Sequence, residues 1–193
     1  MKLVKVEQLT NSKWLNYFCA KFIMNNGKET DYFFASRRKL ENLEMNKNNL
    51  TDAIKVLPYY YENGKIYVVL NYEFRPVING YIYDLCAGLV ESQNNPFEDV
   101  KKELYEELGA TAKNIKKITD SAYTTVGLTD ETMACFSAEI ESFGTQHLED
   151  EEDITLKTIE LSQIPEFVEN HKFGATGALL LLMFYYQNIN SYK

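Results

Sequence analysis

Apolar and polar positions change their period several times along this chain. From Trp14 onward, Tyr17, Cys19, Lys21 and Ile23 fall two residues apart, the spacing of a strand. Asn25–Asn26–Gly27–Lys28 reads as a hairpin turn, and Thr30 to Ser36 as the returning strand. A polar stretch from Arg37 to Leu50 then reads as a linker. Strand patterns resume in AIKVLPYYY, turn at Glu62–Asn63–Gly64–Lys65, return in IYVVLNYEF, turn again at Pro76–Gly80 and end with Tyr81–Cys86. The period then lengthens: Phe97, Val100, Leu104 and Leu108 form one helical stripe, with Pro96 where a helix starts and Gly109 where one stops. Strands are predicted over residues 116–125, 131–140 and 154–160. Residues 144–153 form an acidic loop, Ser162 and Glu166 mark a cap region, and a last helix covers Gly174–Gln187. This order of strands, helix, strands, helix predicts an α+β fold. The change of character after the linker predicts a small β region over residues 1–50 and a main domain over 51–193.

Composition narrows the class. The 193 residues are 45% hydrophobic and 13% aromatic, enough to bury a core. A net charge of −8 with scattered Lys and Arg argues against nucleic acid or an anionic membrane surface as partner. Cys19, Cys86 and Cys135 have no metal-ligand spacing and sit in apolar strand-like contexts. They read as reduced, buried thiols of a cytoplasmic protein. With only His147 and His171 available, little would activate a cysteine nucleophile. The first ten residues hold no run of signal-peptide kind. The nine-residue run Ala178–Tyr186 is shorter than the roughly 20 residues a spanning helix needs. It reads as a core helix, with a membrane or dimer contact as the weaker option.

The central helix also carries Asp99, Glu103, Glu106 and Glu107 on one face beside its apolar stripe. Like charges four residues apart cost a few tenths of a kcal/mol each. Two readings fit: a solvated acidic face, or hard oxygen ligands for Mg²⁺ or Mn²⁺.

The run Ala87–Ala110 resembles the Nudix box, G-x5-E-x7-R-E-U-x-E-E-x-G-U with U apolar. Gly88, Glu103, Leu104, Glu106, Glu107, Gly109 and Ala110 match in register, while Asn94 and Lys102 replace a Glu and an Arg that commonly brace this loop and helix. Further motifs are similar to those of the ADP-ribose pyrophosphatase branch. Glu73–Phe74–Arg75 stands for a Q-Y/F-R motif, Val126–Glu131 for a P-G-x-S/T-D-E run, and Glu149–Ile154 for an acidic loop before the penultimate strand.

The resemblance implies an α/β/α sandwich with a mixed sheet, a small N-terminal β region that dimerises, and a metal-dependent hydrolase. Such enzymes direct water at a phosphorus of a pyrophosphate, with divalent cations clamping the phosphates. It implies Mg²⁺ (or Mn²⁺) held by Glu103, Glu107, Glu152 and the carbonyl of Ala87, with Glu106 as a further ligand or reaching the metal through water. Asp150 stands where the branch places its general base, normally a Glu, so Glu151 and Glu152 are alternatives. Arg75 is implied for a phosphate or the terminal ribose, and Glu131 for ribose hydroxyls. Tyr59, Tyr60, Tyr61, Tyr72 and Phe74 either fill the sheet core or stack a base. The implied substrate is a nucleoside diphosphate sugar such as ADP-ribose, cleaved to AMP and a sugar phosphate. A dinucleotide or nucleoside triphosphate pyrophosphatase and a non-catalytic nucleotide sensor are the competing readings.

Overall fold

The computed structural model describes residues 1–43, 51–91 and 95–189, in two compact units: Met1–Asp52 with Ser121–Met133, and Ala53–Asp120 with Ala134–Lys193. In the first unit, β1 (Lys2–Gln8), β2 (Asn16–Ile23) and β3 (Glu29–Ser36) form an antiparallel sheet in that order. Gly27, at φ 80°, supplies the left-handed turn that reverses β2 into β3. Phe18 and Phe34 face each other in register, stack at 5.3 Å and, with Ala20, form a buried cluster.

Including Ser121–Met133 in this unit differs from a boundary at residue 50, and the physical reason is non-local hydrogen bonding. Ala35 N donates to Leu128 O at 2.8 Å, and Tyr32 Oη donates to Gly127 O at 3.0 Å. Arg38 bridges Asp52 and Asp130, and Ser36 Oγ also donates to Asp130.

The second unit is built on the sheet order β10-β5-β4-β9-β8, with β6 paired to β5 and β7 to β4. Its strands are β4 (Ala53–Glu62), β5 (Lys65–Arg75), β6 (Gly80–Asp84), β7 (Cys86–Leu89), β8 (Ala110–Tyr123), β9 (Thr132–Phe143) and β10 (Ile154–Glu160), the last residues of β8 from Ser121 and the first two of β9 belonging to the first unit. Asn63 and Gly64, at φ 50° and 76°, make the two-residue turn between β4 and β5. Among the described residues, three helices pack on it: α1 (Pro96–Leu108), α2 (Ile164–Asn170) and α3 (Ala175–Asn188).

Alternation along β4 sorts the two faces. Ile54 and Val56 join Val100, Leu104 and Leu108 of α1 in one core cluster. Lys55 and Tyr59 face the other way. The Tyr59 ring meets Phe184 of α3 at 5.0 Å, and Lys55 Nζ forms a buried ion pair with Asp84 at 2.6 Å. Gly174 and Gly177 leave room for that carboxylate, because a Cβ at either position would overlap it. Helices on both faces give the expected α+β sandwich. The apolar run in α3 is a core helix, burying Leu180, Leu181 and Phe184. Among the described residues, no helix is long and apolar enough to cross a membrane.

Helix α1 has the ends its punctuation predicts. Asn95 caps the start by accepting from Phe97 N at 3.3 Å, and Pro96 opens the first turn. Gly109 closes the helix at φ 61°, donating to Tyr105 O at 3.0 Å. The chain of the acidic loop then lies directly on this end. Gly144 N donates to Gly109 O, Gln146 Nε2 to Glu107 O and His147 N to Glu106 O, at 2.7, 2.7 and 2.8 Å. A Cβ on Gly109 would overlap the backbone of Thr145 as well as straining the left-handed turn. Gly109→Ala is therefore expected to cost about 2 kcal/mol of stability, read as a lower denaturation midpoint at unchanged m-value.

Candidate active site

Helix α1 buries more than its apolar stripe. Asp99, Glu103 and Glu107 are 4, 8 and 3% exposed, and Glu106 is half-buried. A solvated acidic face is therefore excluded. Strand β7, drawn along β4 through Lys55↔Ala87 and Ile54↔Gly88, covers the acidic flank. Gly88 is needed there, since a Cβ would collide with the Glu103 carboxylate. Gly88→Ala is expected to displace Glu103 and to lower turnover by roughly 10²-fold, the scale of an ångström-sized misplacement, read as kcat in a steady-state assay.

The Glu107 carboxylate is held from two strands. Oε2 accepts from Asn71 Nδ2 of β5 at 2.8 Å and from Ala87 N of β7 at 3.2 Å. Its pKa is raised to about 8, chiefly by burial, with the Cys86 thiol and Asn71 pulling it down and Glu103 and Glu152 pushing it up. Burial also raises Glu103 to about 7. Lys102 pulls it down, and Glu106, Glu152 and Glu149 push it up. The site is a pocket of carboxyls short of positive charge.

Lys102 takes a brace that the motif does not show: its Nζ lies 3.2 Å from Glu91 and 3.6 Å from Glu106. Glu91 N in turn donates to Asp99 Oδ1 at 3.2 Å. Asn94, the other altered box position, lies outside the described residues.

Beside Glu107 opens a cleft of about 160 Å³ lined by Glu73, Arg75, Ala87, Glu107 and the acidic-loop residues Glu151, Glu152 and Asp153. Arg75 Nη2 pairs with Glu73 Oε1 at 2.8 Å, and Arg75 stays about half exposed. Glu73 is buried, which raises its pKa against the pull of Arg75. Glu149 and Glu152 close a tight turn, with Glu152 N donating to Glu149 O at 3.0 Å and Glu149 N to Glu152 Oε2 at 2.9 Å. Tyr81 Oη donates to Asp153 at the cleft edge.

The fold thus brings Arg75, Ala87, Glu107 and Glu152 to one cleft, with Glu103 and Glu106 on the adjoining face of α1. Asp150 is exposed in the turn and is not among the residues lining the cleft. Glu131 lies in the first unit, paired with Arg37 at 2.9 Å. Tyr59 is core, and Tyr72 stacks with Tyr81 at 5.0 Å. A larger cavity of about 620 Å³ belongs to the first unit, but apolar side chains such as Phe22, Met24 and Phe34 dominate its lining. The concentration of charge favours the smaller cleft.

No motif includes Asn71, and the motif that holds Glu73 gives it no role. Both share the parity of the core residue Val69 on β5, so polar groups stand where apolar ones belong.

Among the described residues, no three acidic, histidine or cysteine side chains already converge closely enough to hold a metal ion. The donors nonetheless suit a hard cation. They are all oxygen, they repel one another, and Mg²⁺ takes one or two carboxylates while keeping waters and substrate phosphates.

No family model matches the chain. It is 30% identical over 161 residues to the ADP-ribose pyrophosphatase of Bacillus subtilis, covering 83% of this chain and 78% of that protein. It is 25% identical over 169 residues to the ADP-ribose pyrophosphatase of Saccharomyces cerevisiae, covering 83% and 70%. An uncharacterised Nudix hydrolase of Schizosaccharomyces pombe is 26% identical over 173 residues, covering 86% and 81%. A crystal structure described as an ADP compounds hydrolase superposes with a TM-score of 0.71 over 97% of this chain and 94% of its own. At 16% identity that likeness speaks for the fold. With the box in register on a buried acidic helix face and these relatives spanning most of its length, the chain belongs to the Nudix hydrolases, as an ADP-ribose pyrophosphatase-like enzyme.

Proposed function

We propose that the enzyme hydrolyses the pyrophosphate of a nucleoside diphosphate sugar, with ADP-ribose as the first candidate, to AMP and a sugar phosphate, using Mg²⁺ (or Mn²⁺). The observation that carries the reading is the cleft in which Glu107 and Glu152 share a lining with Arg75. An acidic cleft repels a diphosphate unless cations stand between them, and Arg75 alone does not balance the carboxylates. The names of the Bacillus and Saccharomyces relatives support the choice of ADP-ribose.

In this reading Glu103, Glu107, Glu152 and the carbonyl of Ala87 hold the metal, and Glu106 acts directly or through water. When bound, the metal supplies charge neutralisation of the phosphates and a more acidic water. Arg75, half exposed at the cleft, is placed to leave Glu73 for a phosphate oxygen, since an Arg fork prefers such bidentate partners. The turn Asp150–Glu152 takes the proton of the attacking water. Residues 1–50 form a homodimer contact, which light scattering reads as a doubled mass.

The purified protein would be incubated with ADP-ribose, other nucleoside diphosphate sugars, diadenosine polyphosphates and nucleoside triphosphates, with Mg²⁺, with Mn²⁺ and with EDTA. The proposal expects AMP from ADP-ribose in the metal arms and none with EDTA. Preferred turnover of a triphosphate or dinucleotide, or full activity in EDTA, overturns it.

A further inference from the structure

We propose that Asn71 is a positioning residue that sets the orientation of the Glu107 carboxylate for the divalent cation. The inference rests on the metal-site reading above. Asn71 is 1% exposed, on the α1-facing side of β5 between Val69 and Glu73. Its Nδ2 donates to Glu107 Oε2 at 2.8 Å, and Ala87 N donates to the same oxygen at 3.2 Å. Donors from two different strands on one carboxylate oxygen fix both the side-chain rotamer and the plane of the group. That is how an outer partner of a metal ligand tunes the site.

The other end of the amide separates this role from a structural one. Asn71 Oδ1 is buried and has no hydrogen-bond partner among the described residues. A buried carbonyl without a partner destabilises the fold, and such groups call for an explanation. Turning the amide over would place that oxygen against the ionised carboxylate that a cation requires, so the metal-binding form of Glu107 pins its direction. The neighbouring core position of the same parity is Val69, and an apolar residue at 71 would leave no orphan. The amide therefore stands at a cost to stability, and the partner it serves is Glu107.

The test compares wild type, Asn71→Leu, the smaller Asn71→Ala, and Glu107→Gln. Mn²⁺ binding is measured by calorimetry, thermal unfolding is followed without metal, and kcat and KM are taken at saturating metal. The expected result is Mn²⁺ affinity weakened roughly 10- to 100-fold in Asn71→Leu and Asn71→Ala. The metal-free Asn71→Leu protein should unfold at the wild-type temperature or above it, and the loss should fall on kcat rather than KM. A purely structural asparagine gives the opposite pattern, a lower unfolding temperature with wild-type Mn²⁺ affinity, and that result overturns the inference. If Glu107→Gln binds Mn²⁺ as wild type does, the metal-site reading fails first and the role of Asn71 with it. If Glu107→Gln loses Mn²⁺ while both Asn71 variants keep it, the positioning role alone fails.

Discussion

Replacing Glu107 with glutamine is expected to slow pyrophosphate hydrolysis by about 10³-fold or more while leaving the fold intact or slightly more stable. The two halves of that expectation come from the same geometry. Glutamine keeps the shape of the side chain, and its single oxygen can take both donors that now hold Oε2, Asn71 Nδ2 and Ala87 N. Its amide NH₂ must then point where the second carboxylate oxygen was, presenting donors to the cation of the proposed metal site. Losing one preorganised charge-stabilising group costs enzymes on the order of 10²- to 10³-fold, and removal of a metal ligand also weakens the cation that neutralises the transferring phosphoryl group. The fold loses nothing comparable, because glutamine is neutral, and burial already favours the neutral form of a carboxyl that is 3% exposed and crowded by Glu103 and Glu152. The measurement is kcat at saturating Mg²⁺ beside the thermal unfolding midpoint. Activity within tenfold of wild type removes Glu107 from the catalytic machinery. Lost activity with a collapsed midpoint reduces it to a structural residue.

The same residue shows what the sequence makes legible. Pro96, the stripe through Leu108, and Gly109 locate α1 to the residue, because caps and periodicity are local. The helical period also puts Glu103 and Glu107 on one face. It does not give their depth. Depth comes from β7, four residues long and too short to show a period, lying along β4 from Ala53 to Val56. Strand β1 escapes for a related reason. Its residues are largely exposed and its lysines interrupt the apolar positions, so the pattern carries little burial signal. The allocation of Ser121–Met133 to the first unit depends on pairings across more than ninety positions, such as Tyr32 with Gly127, and no window of sequence contains them.

A residue is most legible where chemistry constrains its type: the motifs point by register to Arg75, Ala87, Glu107 and Glu152, and these four line one cleft. It is less legible where a charge can serve two purposes. Glu131 is engaged with Arg37 and Thr124 in the first unit, and Lys102 replaces an arginine yet finds Glu91, which the box pattern does not include. Partners of that kind depend on how a loop returns to a helix, and spacing alone is silent about it.

The thermal midpoint of the metal-free protein is expected to fall as pH rises from 5 to 8.5, and Mg²⁺ is expected to restore it at the upper end only. The sign follows from Glu103 and Glu107. Each has an ordinary value of 4.5, raised in the folded protein to about 7 and about 8. Between those values the folded state keeps protons that the unfolded chain has released, so unfolding becomes easier with each step in pH. The stability gained by holding these carboxyls neutral is complete below about pH 4.5 and is lost as pH passes through 7 and then 8. A divalent cation reverses the balance, because its ligands must be ionised to bind. Free Mg²⁺ at a hundred times its dissociation constant adds about 2.7 kcal/mol, or roughly 5 to 10 °C for a chain of this size. The midpoint shift on adding Mg²⁺ should therefore grow from near zero at pH 5 to that range at pH 8.5. General repulsion in a chain of net charge −8 also lowers stability at high pH. A Glu103→Gln, Glu107→Gln double variant separates the two causes. It should show a flatter metal-free profile and no pH-dependent response to Mg²⁺. A double variant that still gains several degrees from Mg²⁺ at pH 8.5 would place the cation elsewhere.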